Sequence, residues 1–493
     1  MQKEAAQRQH FAIERAPKIA DVAAAELDQP MEEHIALVTR DTPVLRLPYL
    51  ALVPILSDYV RHIDVEEKGP CAQPSFAAAS VCRAWRDIMI STPSLWPVLR
   101  LKFGQGVIRH AAEYVHLVLQ RSDPLPLSVY LEVPFKVIDA NSVALLEDLL
   151  PNVVARAGYL DIWQHPPQDD EPHVAPLLGS SVLKFLWLPT PFLHSLTIRH
   201  YQVQGAILAL LPSTPKLVRL DLHYFDPLHL FSPDAYAKLR RIDLHSSVDE
   251  ACIQLLSTAA PEIEYLRLSA IHTVGPPGSL RVSPLKNLRT LSIDTVDDIS
   301  PFPTDAFPAL HSLYLEYPLH DTDLGHQLPA LPLLHTLRVT CYDSTTAMWE
   351  TTLSLILHVP SIHRLELVGP ENSATFWTEL LAPTARAAPN LRTLHIEDED
   401  FETSDEIDAF LHFVKSRTAR TGERLAGSTS LARLEFFRTR NVSKITEGLK
   451  SYIEPIIVDE HGAEVVIILL VGYLALPALL FIHLHLPQHP HDS

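Results

Sequence analysis

The feature that most constrains this chain is a six-residue pattern, L-x-x-L-x-[LIV], that recurs in phase along it. It occurs at Leu193-Leu196-Ile198, Leu217-Leu220-Leu222, Leu239-Ile242-Leu244, Ile263-Leu266-Leu268 and Leu288-Leu291-Ile293. It continues at Leu310-Leu313-Leu315, Leu334-Leu337-Val339, Ile362-Leu365-Leu367 and Leu391-Leu394-Ile396, with a tenth copy at Leu431-Leu434-Phe436. Successive first residues lie 24, 22, 24, 25, 22, 24, 28, 29 and 40 apart, so the last interval carries an insertion. No single unit of this length can bury its apolar row alone, so the units must stack on one another.

Seven of the ten units place a proline two residues before the first Leu or Ile: Pro191, Pro215, Pro261, Pro308, Pro332, Pro360 and Pro389. Proline ends a helix and cannot sit inside the strand that follows, so each unit reads as a helix, a proline turn and a short strand. Alternation along the strand sends Leu196 and Ile198 inward and Ser195, Thr197 and Arg199 outward. The period, roughly 20–29 residues, is that of leucine-rich repeats. The expected fold is therefore α/β, a curved solenoid of helix–strand repeats. Two weaker strand-like segments, 125–133 and 157–163, extend the array toward the N-terminus.

The chain is 47% apolar and 20% charged, enough to bury a substantial core. Its formal charge of −19 repels phosphate backbones, and no basic stripe with interleaved aromatics occurs, which argues against nucleic acid as a partner. Cys71, Cys82, Cys252 and Cys341 form no C-x-x-C pair and read as reduced core residues. The first residues, MQKEAAQRQHFAIER, contain no apolar signal segment, so the expected location is cytoplasm or nucleus. Nucleophile-elbow, P-loop, dinucleotide-binding, zincin and EF-hand spacings are all missing, so no catalytic residue, cofactor or metal is expected. The histidine-rich terminus, with His483, His485, His489 and His491, is set aside as a metal site because such Pro-flanked tracts more often do nothing specific.

Ahead of the repeats stands SVCRAWRDIMISTPSLW (80–96), which holds two of the chain's six tryptophans. Ala78, Val81, Cys82, Trp85, Ile88 and Met89 fall at offsets of one helical stripe, and Thr92-Pro93 supplies a cap and a first-turn proline for a further turn. Together with PVLRLP and ILSDYV upstream, these residues resemble the F-box of fungal F-box/leucine-rich-repeat proteins. The match in the second half is Val81, Cys82, Arg83, Trp85, Arg86, Ile88, Ser91, Thr92, Pro93, Leu95 and Trp96. In the first half Leu47-Pro48 stands in place, but Tyr-Leu-Ala-Leu-Val-Pro intervenes before Ile55-Leu56 and the usual glutamate is absent. The resemblance implies a small N-terminal helical domain whose Leu47, Pro48, Ile55, Leu56, Val81, Cys82 and Trp85 bind a Skp-type adaptor and, through it, a cullin. Trp96 is expected to pack inside the chain, joining this domain to the first repeat.

Four segments follow: an N-terminal stretch at 1–42, the F-box-like domain at 43–104, the repeats at 105–464 and an apolar tail at 465–493. The expected function is that of a non-catalytic substrate receptor of a Skp–cullin–F-box ubiquitin ligase, with the repeats holding an unknown protein substrate. Curved arrays bind partners on their outward strand positions. Here those include Asp221, His223, Asp243, His245, Arg267, Tyr314, Glu316 and Arg338. The acidic run 397–410 is read as a solvated loop entering a helix, with docking of a basic segment as the sharper alternative. The stretch 465–482 is eighteen uncharged residues, long enough to pose a membrane anchor facing the cytosol, although Gly472 and Pro477 interrupt it. The competing reading of the whole chain is a repeat scaffold with a degenerate F-box, tethered by that tail.

Overall fold

A computed structural model describes residues 47–62, 74–102, 111–133, 140–164, 184–199, 210–223, 228–272, 282–295, 302–303, 305–316, 331–340, 346–368, 374–381, 389–397, 404–418, 436–439 and 456–457. The expectations for 1–42 and for the apolar tail lie outside these residues. The chain divides into two compact units, 1–100 with 113–127, and 101–112 with 128–493.

The first described element of the first unit is helix α1 (Tyr49–His62), entered directly from Leu47-Pro48. The Pro48 carbonyl accepts from the Ala51 and Leu52 amides at 2.9 and 3.0 Å. Tyr49 to Pro54, the six residues at which the sequence departs from the expected F-box pattern, are the first turns of α1. Leu52, Leu56 and Val60, four residues apart, form the buried stripe of this helix. Helices α2 (Pro74–Val81) and α3 (Arg83–Ser91) follow. The single helix expected across 78–89 is thus two. Cys82 is extended, with φ −158° and ψ 171°, and its Sγ accepts from the Trp85 amide at 3.4 Å as the cap of α3.

Pro93 does open a short 3₁₀ turn, Pro93–Leu95, but Thr92 does not cap it with its side chain. The Thr92 hydroxyl is instead bonded to the Tyr49 hydroxyl at 2.8 Å, tying that turn to the start of α1. Trp96 is buried, donates its indole N–H to the Met89 carbonyl at 2.6 Å, and meets Phe76 edge-on at 5.2 Å. Its described partners are therefore within the first unit. Strand β1 (Val98–Lys102) and helix α4 (Ala111–Arg121) complete the early elements, and Phe76 also packs on Tyr114 of α4 at 5.7 Å.

The second unit is the repeat array. Its strands are β2 (Leu127–Val133), β3 (Ala157–Gln164), β4 (Ser195–Arg199), β5 (Arg219–His223), β6 (Arg241–Asp249), β7 (Tyr265–His272) and β8 (Thr290–Thr295). They continue as β9 (Ser312–Glu316), β10 (Thr336–Thr340), β11 (Arg364–Val368), β12 (Thr393–Glu397), β13 (Phe436–Thr439) and β14 (Ile456–Ile457). Neighbours in the sheet are neighbours in the chain, and from β3 onward every described pair is parallel. Both weak N-terminal segments are strands of this sheet, and β2 alternates buried and half-buried residues along its whole length.

The leucine pattern is in register. Leu196, Leu220, Ile242, Leu266, Leu291, Leu313, Leu337, Leu365 and Leu394 align strand to strand, and all are buried. The tenth unit departs: Leu394 faces Phe437, so β13 pairs three residues later than Leu431-Leu434-Phe436 predicts.

The prolines do more than end helices. Among the described residues an α-helix leads into β2 (α4), β3 (α5, Ala140–Arg156), β6 (the single turn α6, Pro233–Tyr236), β7 (α7, Glu250–Ala259, followed by Pro261) and β11 (α8, Thr346–His358, followed by Pro360), while α9 (Ala374–Leu381) and α10 (Ser404–Thr418) lie in longer connections. What recurs is a β-turn with proline in its second position, where the ring's fixed φ is already suitable. The first Leu or Ile of the unit donates back across it: Leu193 to Thr190, Leu217 to Thr214, Ile263 to Ala260 and Ile362 to Val359, at 3.2–3.3 Å. The residue after that Leu or Ile offers a carbonyl that accepts two amides of the next unit. His194 accepts from Val218 and Arg219, Val218 from Arg240 and Arg241, and so on to His363 from Arg392 and Thr393. Backbone bonding at the strand entrances therefore holds the same register as the buried leucines.

Among the described residues, no helix is long and apolar enough to cross a membrane.

Candidate functional site

The strand face opposite the leucines carries three polar columns. Parallel register aligns the middle one as Asp161, Thr197, Asp221, Asp243, Arg267, Ser292, Tyr314, Arg338, Glu366 and His395. The leading column contains Arg219, Arg241, Tyr265 and Arg364, and the trailing one Arg199, His223 and His245. The sequence suggests that all such outward residues face solvent, yet the middle column is partly enclosed. Asp161, Thr197, Asp221, Asp243, Ser292 and Glu366 are buried, because long side chains on both flanks close over these shorter ones. Arg267, Tyr314, Glu316 and Arg338 are half-buried.

Enclosed carboxylates need partners, and the sequence supplies them as R-x-[DE] on one strand, two residues apart and so on one face. Arg241 holds both oxygens of Asp243, Nε at 2.7 Å and Nη2 at 3.1 Å, while its guanidinium lies 4.0 Å from the centre of the Tyr265 ring. Arg364 pairs with Glu366, which Arg338 also approaches at 3.6 Å. Further along, Arg267 grips both oxygens of Asp294, at 3.0 and 3.1 Å for its shortest contacts, and lies 3.8 Å from Glu316. Burial raises the Glu316 carboxyl above its ordinary range, with the Asp294 charge adding to it. Asp161, held by Arg199 at 3.1 Å, is likewise raised, chiefly by burial against the lowering effect of that arginine.

Asp221 is arranged differently from its neighbour Asp243. Arg219 reaches only Oδ2, at 3.4 Å. Oδ1 turns to two imidazoles, 3.0 Å from Nε2 of His223 and 3.5 Å from Nε2 of His245. Those contacts are close but off hydrogen-bond direction, so this enclosed oxygen has no well-aimed donor. The two rings are stacked, centroids 3.8 Å apart and planes within 8°. Burial alone would raise the Asp221 carboxyl; the neighbouring imidazoles outweigh it and hold it below the usual carboxylate range. These three residues are a group whose ligand-capable atoms all lie within 4.8 Å of one another. The signal was in the sequence as a duplicated pentapeptide, Arg-[Leu/Ile]-Asp-Leu-His at 219–223 and 241–245, which register then sets side by side.

A second candidate surface is apolar and lies on the first unit. Opposite the buried stripe of α1, Leu50 is 83% exposed and Ile55 48%, with Tyr59 and the entering Leu47-Pro48 also exposed. Val81, at the end of α2, is 58% exposed. Cys82 and Trp85 are half-buried. Of the seven residues expected to face an adaptor, Leu56 is buried, 1% exposed, because it shares the Leu52–Val60 stripe, while the other six are exposed or half-buried.

Sequence reasoning also missed a column of histidines on the turns between repeats. His311, His335 and His363 occupy the same position in successive units, with ring centroids 5.6 and 5.0 Å apart. No protein-family model matches this chain, and no curated protein is significantly similar to it.

Proposed function

We propose that this chain is a non-catalytic substrate receptor of a Skp–cullin–F-box ubiquitin ligase, its first helical unit an F-box and its second a leucine-rich-repeat solenoid. The observation that carries the reading is the exposed apolar face of α1 and of the end of α2. Large apolar side chains such as Leu50, Ile55 and Val81 stand in water on a small helical unit that already has its own core. Covering one such side chain is favourable by about 1.5–3 kcal/mol, so several together supply the affinity for a partner helix. The adaptor surface comprises Leu47, Pro48, Ile55, Val81, Cys82 and Trp85, with Leu50 added and Leu56 removed. The polar columns then select the protein substrate, and the chain itself contributes no reacting group.

The test is co-purification of the full-length chain with a Skp-type adaptor, compared with Leu50→Asp and Val81→Asp. Both positions are exposed, so neither change disturbs the fold, which circular dichroism confirms. The expected result is adaptor binding by the parent and its loss in both variants. No binding by the parent, or undiminished binding by both variants, refutes the proposal in favour of a scaffold without a ligase contact.

A further inference from the structure

We propose that Asp221, His223 and His245 form a binding site for a divalent transition cation of the zinc type on the polar face of the repeats. Two imidazole nitrogens and one carboxylate oxygen are a donor set suited to zinc, which takes four ligands in a tetrahedron. With metal–ligand bonds of about 2.0–2.2 Å, tetrahedral geometry sets neighbouring donor atoms about 3.4 Å apart. Asp221 Oδ1 lies 3.0 Å from one imidazole Nε2 and 3.5 Å from the other. Because the two rings are stacked in nearly parallel planes, each must turn out of the stack by tens of degrees about its side-chain bonds to bring both lone pairs onto a common point.

Three further observations point to a cation there. Oδ1 of Asp221 is enclosed, and the two imidazole nitrogens beside it at 3.0 and 3.5 Å are not aligned as donors to it. The duplicated neighbour shows the alternative: Asp243 is gripped through both oxygens by Arg241, whereas Arg219 contacts Asp221 through Oδ2 alone. That single contact is the kind of outer partner that orients a metal-bound carboxylate. The imidazoles remain 26% and 22% exposed, so an ion reaches them from solvent. Three protein ligands leave the fourth position to water or to a His or carboxylate side chain of a bound partner. The site goes beyond the ligase reading and stands or falls without it, since its readout involves no adaptor.

The experiment uses the full-length chain with His483, His485, His489 and His491 changed to Gln, which removes the competing terminal histidines. Zn²⁺ is titrated calorimetrically, and Co²⁺ is added separately to read its visible absorption, which is intense only in tetrahedral sites. The expected result is one saturable equivalent per chain with the tetrahedral Co²⁺ spectrum. His223→Gln, His245→Gln and Asp221→Asn each weaken binding by at least about tenfold, as loss of even an outer-shell partner does, while His335→Gln leaves it unchanged. The two histidine variants sit on separate strands, so a folding defect in one leaves the other informative, and metal-free melting curves identify it. Lack of a saturable equivalent in the parent overturns the proposal. So does binding that survives both histidine changes, or that survives Asp221→Asn at full strength, which would leave a histidine pair only.

Discussion

Removing Arg241 should cost far more than removing the charge it neutralises. Asp243 has a side chain only 4% exposed and is held through both oxygens by Arg241, with Arg219 as a distant second cation at 3.8 Å. Arg241→Ala therefore strands an enclosed carboxylate. Stripping one member from a fully buried pair costs about 3–5 kcal/mol, and the surviving Arg219 contact reduces that here to about 2–3 kcal/mol. The total includes about 0.5 kcal/mol from lost contact with the Tyr265 ring. Asp243→Asn is different: the arginine it releases is 43% exposed and turns to water, so the cost is only about 0.5–1 kcal/mol. In the double variant no charge is stranded, and the coupling energy should be about 1.5 kcal/mol. Urea unfolding with an unchanged m-value reads all three differences as shifts in midpoint. Equal costs for the two single variants, or additivity within about 0.5 kcal/mol, would refute the reasoning.

Trp377 is fully buried between Phe410 at 4.8 Å and Phe413 at 5.3 Å, so Trp377→Ala should lower stability by about 3–5 kcal/mol, measured by urea unfolding. Pro261 fixes the turn ahead of β7 without offering an amide to lose, and Pro261→Ala should lower stability by about 0.4–1 kcal/mol through the freer unfolded chain, seen as a reduced Tm. The His335 imidazole is held below its ordinary pKa by partial desolvation and by His363 and His311. Its folded form therefore binds fewer protons than its unfolded form, so stability falls as pH drops through the ordinary histidine range. Tm measured at pH 7.5 and pH 5.5 should show a drop that is smaller in His335→Gln.

The array was legible because ten copies of one apolar pattern leave few ways to bury it, and Leu196 through Leu394 hold the register that pattern requires. Its side-chain electrostatics were not legible to the same degree. Alternation assigns Asp221 and Asp243 to one face, but enclosure by Arg241, His223 and their neighbours depends on which residues register sets side by side. The break at Cys82 was hidden because the apolar spacing runs on through it, and a cysteine cap leaves no mark in composition. Leu56 was misplaced for a related reason: once Tyr49 to Pro54 is helical, the periodicity of α1 turns Leu56 inward and Ile55 outward. In the tenth unit the apolar residues Phe436 and Phe437 begin the strand, and the pattern alone does not distinguish them from Leu434.

The shared carbonyls that join turn to turn have a consequence for how such a face changes over generations. Register is held by His194, Val218, Arg240 and their successors at the strand entrance, so the length of the return segment behind each strand is free to vary, as spacings from 22 to 43 between aligned strand positions show. The polar columns then behave as a line of text with one letter per strand. Nine steps of about 4.8 Å separate Asp161 from His395, a path of about 40 Å, or a dozen residues of an extended peptide laid across the strands. One substitution rewrites one letter and leaves the rest in place. Loss of one whole unit shortens the line and sets former strangers side by side: without β8, Arg267 would stand beside Tyr314. The polar pattern of this face can therefore drift by single residues, or jump by whole units, while the leucines beneath it stay the same.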